Sequence, residues 1–187
     1  MTAISRRRPS GWAISSSESR LPVTQAVLHP DGRLLLAGQA FRAVLGRGGV
    51  RADKQEGDGA TPAGQLPLRR VLYRADRIRP PETVVPLEPI GPADGWCDDP
   101  THPDYNRPVT LPHPASHEAL WRADGVYDIV GVLGWNDAPP QASRGSAIFL
   151  HVARPDRAPT EGCIALPVAE LLAVLRAGLS AIVVLER

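Results

Sequence analysis

The sequence predicts a mostly-β domain with one or two short helices, arranged as a sandwich or a barrel. Three observations support this fold class: many short apolar runs, glycine and proline turns between them, and a single segment with helical spacing. A chain of 187 residues suits one domain with a real core and is short for two. We place that domain at residues 25–187, after a loosely ordered arm at residues 1–24 that is rich in serine, arginine and proline.

The apolar runs define the strands in chain order. Asp31-Gly32 separates the first two runs and is a strong hairpin signal, because this pair tolerates the positive φ of a tight turn. Near the C-terminus, VAELLAVLRAGL has apolar spacing close to 3.6 with Pro167 just ahead, which predicts one helix of about three turns. The other strands are predicted at residues 66–73, at residues 125–135, in SAIFLHV, from Cys163 onward and in AIVVLE.

The middle of the chain, residues 80–114, is dense in proline, which excludes a long helix or central strands. Trp96, Cys97 and Tyr105 within it indicate an ordered excursion with its own small packing cluster. Because two aspartates follow Cys97 and disfavour a thiolate, a packed structural thiol is the preferred interpretation there.

Bulk composition limits the partners. The formal net charge is only +1, so no charged field points to nucleic acid or a membrane surface. No stretch approaches the ~18 apolar residues that a membrane span needs. No signal-peptide pattern is visible either, which leaves a cytoplasmic location open. Gly46, Gly48 and Gly49 match no phosphate-binding fingerprint, so we expect no phosphate-binding loop there.

His151 and Cys163, twelve residues apart, form the candidate catalytic pair. A histidine can take the proton of a cysteine thiol and return it to a leaving amine, because its pKa lies near ambient pH. The histidine ends one predicted strand and the cysteine begins the next, so both side chains can meet if they face the same way. On chemistry alone, a buried thiol beside a stray imidazole remains the alternative.

The residues just before Cys163 suit a reaction at a carbonyl. Gly162 lets a substrate carbonyl approach the backbone closely, and the N–H of Cys163 is placed to hold a developing oxyanion. Thr160 is predicted to fix this loop through its hydroxyl.

Several segments together resemble a known family. The histidine followed by TEGCIAL resembles the signature of the YkuD-type L,D-transpeptidases, and GDGATPAGQLPL is similar to the Thr-Pro-x-Gly segment of that family. KQEGDGATPAG, GWCDDP, YNRPV, GSAIFLH and PTEGC resemble its compact bacterial branch in the same order. The resemblance runs from about Ala26 to Arg187.

This resemblance implies a β-sandwich-like catalytic domain that acts on peptidoglycan stem peptides in the periplasm or cell envelope. Cys163 would form an acyl-enzyme at the L-centre of a diaminopimelate–D-alanine bond, and His151 would act as base and then acid. An amine acceptor would then give a cross-link, without any metal or cofactor. The oligomeric state is not predicted.

One position departs from the family pattern. Many members continue Gly-Cys-x-Arg, whereas this chain has Ala165 at the last position. This keeps two alternatives open: a cysteine L,D-carboxypeptidase that uses water on the same peptides, and a non-catalytic wall-binding domain. The candidate substrate-binding residues are the cations Arg144, Lys54 and Arg107 and the cleft candidates Tyr105 and Asn106.

Overall fold

The structure, a computed structural model, describes residues 21–186. Within them the chain forms fourteen strands and one helix, α1 (Val168–Arg176). The strands are β1 (Thr24–Leu28), β2 (Arg33–Leu36), β3 (Gln39–Arg42), β4 (Val50–Arg51), β5 (Thr61–Pro62), β6 (Gly64–Tyr73), β7 (Leu87–Pro89), β8 (Asp94–Cys97), β9 (Pro108–Thr110), β10 (His117–Ala119), β11 (Ile129–Leu133), β12 (Phe149–Val152), β13 (Ile164–Leu166) and β14 (Leu179–Val184). Nearly all of the predicted N-terminal arm, residues 1–24, lies outside the described residues.

The main sheet is ordered β13-β12-β11-β6-β14-β1-β2-β3, with β7 paired to β6. Just past β3, Val44 donates its N–H to the Ala165 carbonyl at 2.8 Å and accepts the Ala165 N–H at 2.9 Å. Since Ala165 belongs to β13, this bridge joins the two edge strands and nearly closes the sheet into a barrel. The predicted mostly-β, barrel-like fold class is therefore confirmed.

Burial follows the strand pattern that the sequence suggests. Side chains of β2 alternate between exposed and buried, whereas all five residues of β11 are buried because both faces of that strand are covered. The buried helix residues Leu171, Val174 and Leu175 pack into the same core cluster as Leu28 and Leu66. A long aliphatic core thus holds the strands that carry the site.

The Asp31-Gly32 hairpin is confirmed between β1 and β2. Gly32 has a φ of +85°, and its N–H donates to the His29 carbonyl at 2.9 Å. A Cβ at this position would lie 2.5 Å from the Ala43 carbonyl oxygen, so glycine is required both by the turn and by the close approach.

Three element boundaries differ from the prediction. The strand predicted at residues 125–135 is limited to β11, because the N–H of Asp128 bonds the Gly125 carbonyl and closes a turn. The strand predicted in SAIFLHV begins only at Phe149. Helix α1 ends before Gly178, whose φ of +84° ends the helical conformation and whose N–H bonds the Leu175 carbonyl.

The proline-rich excursion and the residues that follow it form a separate three-stranded sheet, ordered β10-β8-β9, so the excursion extends to residue 119. The prediction that it has its own packing cluster is wrong. Trp96 meets Phe149 of the main sheet edge-to-face at 5.2 Å, and both share one buried cluster with Cys163. The excursion therefore packs directly against the strand beside the candidate nucleophile, and burial raises the pKa of its own thiol, Cys97. No helix among the described residues is long and apolar enough to span a membrane.

Candidate active site

The candidate pair lies on two parallel neighbouring strands. His151 of β12 is in register with Ala165 of β13, and Cys163 directly precedes β13. Residues two apart on a strand share a face, so Cys163, Ala165 and His151 all point to the same side. All three line one cleft of about 190 Å³, which we call the thiol cleft. The same walls include Glu118, Arg122, Tyr127 and Arg154.

The Cys163 thiol is buried and hydrogen-bonded. Its Sγ donates to the Ala147 carbonyl at 3.2 Å and accepts the Phe149 N–H at 3.4 Å. Burial raises the pKa of this thiol to about 12, and the nearby Glu118 charge acts in the same direction. At neutral pH the resting cysteine is therefore a thiol and needs a base before it can attack.

His151 is arranged as a neutral base. Its Nδ1 lies 3.0 Å from the Val152 carbonyl oxygen, which can only accept, so the proton sits on Nδ1 and Nε2 keeps its lone pair. Burial lowers the pKa of this imidazole to about 4. The ring of Tyr127 packs edge-on against the imidazole at 5.5 Å and fixes its plane. The resting imidazole is therefore uncharged at neutral pH, and its Nε2 lone pair can accept a hydrogen bond.

The loop before Cys163 is fixed by Thr160, as its sequence context predicts. The Thr160 hydroxyl donates to the Cys163 carbonyl at 2.6 Å and accepts the Gly162 N–H at 3.2 Å. Gly162 has a φ of +131°, and a Cβ there would lie 2.8 Å from the Ala60 carbonyl oxygen. Glycine is therefore needed for packing against Ala60, a reason independent of any substrate.

Asn106 lies behind the thiol and does not line the thiol cleft. It is 5% exposed and adopts a left-handed φ of +56°. Its Oδ1 accepts the Trp96 indole N–H and the Ala147 N–H, each at 3.0 Å. Its Nδ2 donates to two backbone carbonyls, those of Trp135 and Asn136. Since the Ala147 carbonyl accepts the hydrogen bond of the Cys163 thiol, Asn106 orients this thiol from behind.

The other predicted substrate-binding residues also lie outside the walls of the thiol cleft. Lys54 is buried in an ion pair with Asp58 at 2.6 Å. The Tyr105 hydroxyl donates to the Glu56 carboxylate, which also accepts the Ser146 hydroxyl. Arg144 is exposed over the Trp135 ring, and Arg107 lines a different cavity together with Trp96 and Asn106.

Sequence reasoning missed four polar residues of the thiol cleft: Glu118, Arg122, Tyr127 and Arg154. Arg154 follows His151 by three positions, in the loop after β12, so its closeness to His151 in sequence could have identified it. Glu118 and Arg122 are far from the pair in sequence and reach the cleft through the sheet that contains β10, whereas Tyr127 precedes β11, the direct neighbour of β12. No spacing rule identifies such residues.

One group of side chains among residues 21–186 has the composition of a metal site: His102, Asp104 and His113. Nδ1 of His102 accepts the Asp104 N–H at 3.2 Å, and Nδ1 of His113 accepts the Ala115 N–H at 3.3 Å. Both rings then carry their proton on Nε2, and that of His113 donates to the Asp104 carboxylate at 3.3 Å. The three groups satisfy one another without an ion, so we assign no metal to them.

The Cys163 thiol and the neutral His151 imidazole lie in one cleft of this nearly closed barrel, an arrangement compatible with acyl transfer through a cysteine. Residues 23–183 match the family model for YkuD, the L,D-transpeptidase catalytic domain. The chain belongs to this family and is an enzyme of the L,D-transpeptidase type, a family associated with peptidoglycan. No curated protein matches the chain.

Proposed function

We propose that the chain is a peptidoglycan L,D-transpeptidase that works through an acyl-enzyme on Cys163. One observation carries the proposal: the same cleft holds a protonated Cys163 thiol and a neutral His151 imidazole. The imidazole has its proton on Nδ1, which leaves the Nε2 lone pair for the thiol proton. A thiol that is ionised only during attack requires such a base.

The reaction then follows from the two side chains. His151 Nε2 takes the thiol proton as Sγ bonds to the carbonyl carbon at the L-centre of the donor diamino acid. The N–H of Cys163 holds the oxyanion, an interaction worth roughly 3–4 kcal/mol per donor elsewhere, whereas the Gly162 N–H bonds the Thr160 hydroxyl. The C–N bond to D-alanine breaks, and His151 returns the proton to the departing amine. An acceptor amine attacks the thioester, loses its proton to His151 and releases Cys163.

Arg122 and Arg154 are the cations that line the thiol cleft within the described residues, and we assign substrate carboxylates to them. This assignment replaces the predicted cations, since Lys54, Arg144 and Arg107 all lie outside the walls of the thiol cleft. A guanidinium binds a carboxylate through two parallel N–H bonds, which orients the peptide as well as holding it. The substrate makes the cell envelope the proposed place of action.

A hydrolase that uses water is the second candidate, and Ala165 is the observation that favours it. Its side chain lines the cleft beside His151 where the family resemblance implies an arginine, and its backbone is fixed by Val44 on both sides. Without that arginine, an acceptor peptide has one fewer anchor. Water needs none and can reach the thioester instead.

Mass spectrometry of purified disaccharide-tetrapeptides incubated with the protein tests both candidates. Loss of D-alanine with cross-linked dimers supports the transpeptidase, whereas tripeptide without dimers supports the hydrolase. Cys163→Ala removes turnover in either case. Unchanged substrate together with a Cys163 that resists acylation by a carbapenem would contradict both candidates and leave a non-catalytic wall-binding domain.

A further inference from the structure

The carboxylate of Glu118 enters the thiol cleft from the excursion. Glu118 lies in the middle of β10, opposite Trp96 of β8, and lines the cleft together with Cys163 and His151. The Tyr127 hydroxyl donates to its Oε2, and the ring of the same tyrosine packs against His151. One aromatic side chain thus fixes both the carboxylate and the imidazole.

Glu118 differs from the other cleft carboxylate in its lack of a cation. Glu161 is exposed and paired with Arg47 at 2.8 Å. Arg122, the cleft arginine on the excursion side, forms its ion pair with Asp124 at 2.5 Å. Among the ion pairs of residues 21–186, none includes Glu118. Burial raises the pKa of its carboxyl, and neither the Tyr127 hydrogen bond nor the Arg122 charge, which both act in the opposite direction, cancels that effect.

A carboxylate without an ion-pair partner at this position disfavours ionisation of the Cys163 thiol. The Glu118 charge adds to the burial that holds Cys163 in the thiol form. A cation placed beside Glu118 removes this opposition, because the opposite charge cancels the field at the sulfur. A ligand that brings its own cation therefore assists ionisation of the thiol that attacks it.

The surroundings of Tyr127 suit a ligand that carries both charges. The Arg122 guanidinium lies 5.1 Å from the centre of the Tyr127 ring, while the hydroxyl of that ring holds Glu118. Carboxylate and guanidinium thus flank one rigid side chain. The free amino and carboxylate groups of a diamino acid side chain present the complementary pair.

We infer that Glu118 binds a free ammonium group of the acyl-donor peptide and that filling this subsite favours the Cys163 thiolate. The inference rests on the proposed function for the identity of the ligand. It adds a specificity rule: a donor whose side-chain amine is blocked loses both an anchor and assistance in forming the nucleophile.

Calorimetric binding in the Cys163→Ala background of the full chain tests the subsite. The probes are a stem tetrapeptide with a free diaminopimelate amine and the same peptide acetylated at that amine. We expect acetylation to weaken binding about tenfold or more with Glu118 intact, and Glu118→Gln to remove most of this preference. Glu88→Gln, a carboxylate on β7 paired with Arg70, is the matched control and keeps the preference.

Persistence of the tenfold preference in Glu118→Gln, with wild-type turnover observed, overturns the subsite and leaves the proposed function standing. Absence of both binding and wild-type turnover overturns the proposed function and the subsite with it. A second readout does not depend on any peptide. In a Cys97→Ser background, iodoacetamide should modify Cys163 about threefold faster or more in Glu118→Gln than with Glu118 intact, and Glu88→Gln should not change the rate. Equal rates would overturn the link to the thiolate.

Discussion

Asn106 and Ala147 are joined by a hydrogen bond of 3.0 Å from the Ala147 N–H to the Asn106 Oδ1. The carbonyl of the same Ala147 accepts the Cys163 thiol. Ala147 has a φ of +51°, an uncommon conformation for alanine that its neighbours must hold in place. The orientation of the Cys163 thiol therefore depends on a side chain that does not line the thiol cleft.

Asn106→Asp should damage both stability and turnover. The Nδ2 donors to the Trp135 and Asn136 carbonyls become acceptors, so buried oxygens face one another without a proton. We expect the free energy of unfolding to fall by about 2–4 kcal/mol, measured by urea denaturation. Activity measured on the folded fraction should fall as well. Normal turnover in the folded fraction would show that Asn106 does not position the thiol.

Thr160→Val should weaken the loop that carries Cys163. Valine keeps the shape of threonine but removes the hydroxyl that bonds the Cys163 carbonyl and the Gly162 N–H. The expected loss is about 1–3 kcal/mol in unfolding free energy, with a lower kcat because the oxyanion donor shifts. Thr160→Ser retains the hydroxyl and should remain near wild type. A serine variant as impaired as the valine variant would show that the methyl group, not the hydrogen bonds, matters.

Gly162→Ala should be more harmful than a glycine substitution at a site with space. At Gly162 both the φ of +131° and the Ala60 carbonyl oxygen, 2.8 Å from the added Cβ, oppose alanine. The combined cost should be about 2–4 kcal/mol, with loss of activity as the Cys163 backbone moves. Gly38→Ala is the control, since its φ of +77° is also left-handed but no atom lies within 4 Å. It should cost only about 1 kcal/mol. Similar melting temperatures for the two variants would contradict this packing argument.

His151 should make the fold sensitive to acid. Its pKa is about 4 in the folded protein against an ordinary 6.5, so the unfolded chain binds the proton first as pH falls. The contribution of His151 to the free energy of unfolding is fully present above about pH 6.5. It declines by about 3 kcal/mol as the pH approaches 4. His151→Asn keeps a donor toward the Val152 carbonyl but does not titrate, and it should show a smaller decline. Unfolding titrations at pH 7.5 and 4.5 measure the two differences, and equal declines would contradict the pKa shift.

Local patterns in the sequence predict the elements that depend on local physics. Asp31-Gly32 specifies its hairpin because the positive φ at Gly32 is a property of the turn itself. The helix is predicted from its apolar spacing, although Gly178 makes it end at Arg176, three residues earlier than the pattern suggests. The strand through residues 125–135 is predicted too long, because apolar composition does not reveal the turn that the Asp128 N–H closes.

The composition of the thiol cleft was only partly predictable. His151 and Cys163 lie on adjacent strands, and family motifs draw attention to both. Glu118 and Arg122 reach the cleft because Trp96 packs on Phe149 and docks the excursion, which is a contact between segments far apart in the chain. Lys54 was expected to meet substrate because it is a cation in a conspicuous loop. The neighbouring Asp58 neutralises it, and only coordinates reveal that pairing.

The parallel pairing of β12 and β13 divides the site into a fixed part and a replaceable part. Two parallel strands need a connection that returns along the sheet, and here residues 153–163 provide it. The ladder sets where the imidazole and the thiol stand, whereas Arg154 and Thr160 of the connection form cleft wall. Natural or designed substitutions at residues 154–159 can therefore change which ligands fit the cleft without moving the His151 imidazole or the Cys163 thiol. The pair proposed to react and this part of the ligand-contacting wall thus lie on separate segments of the chain.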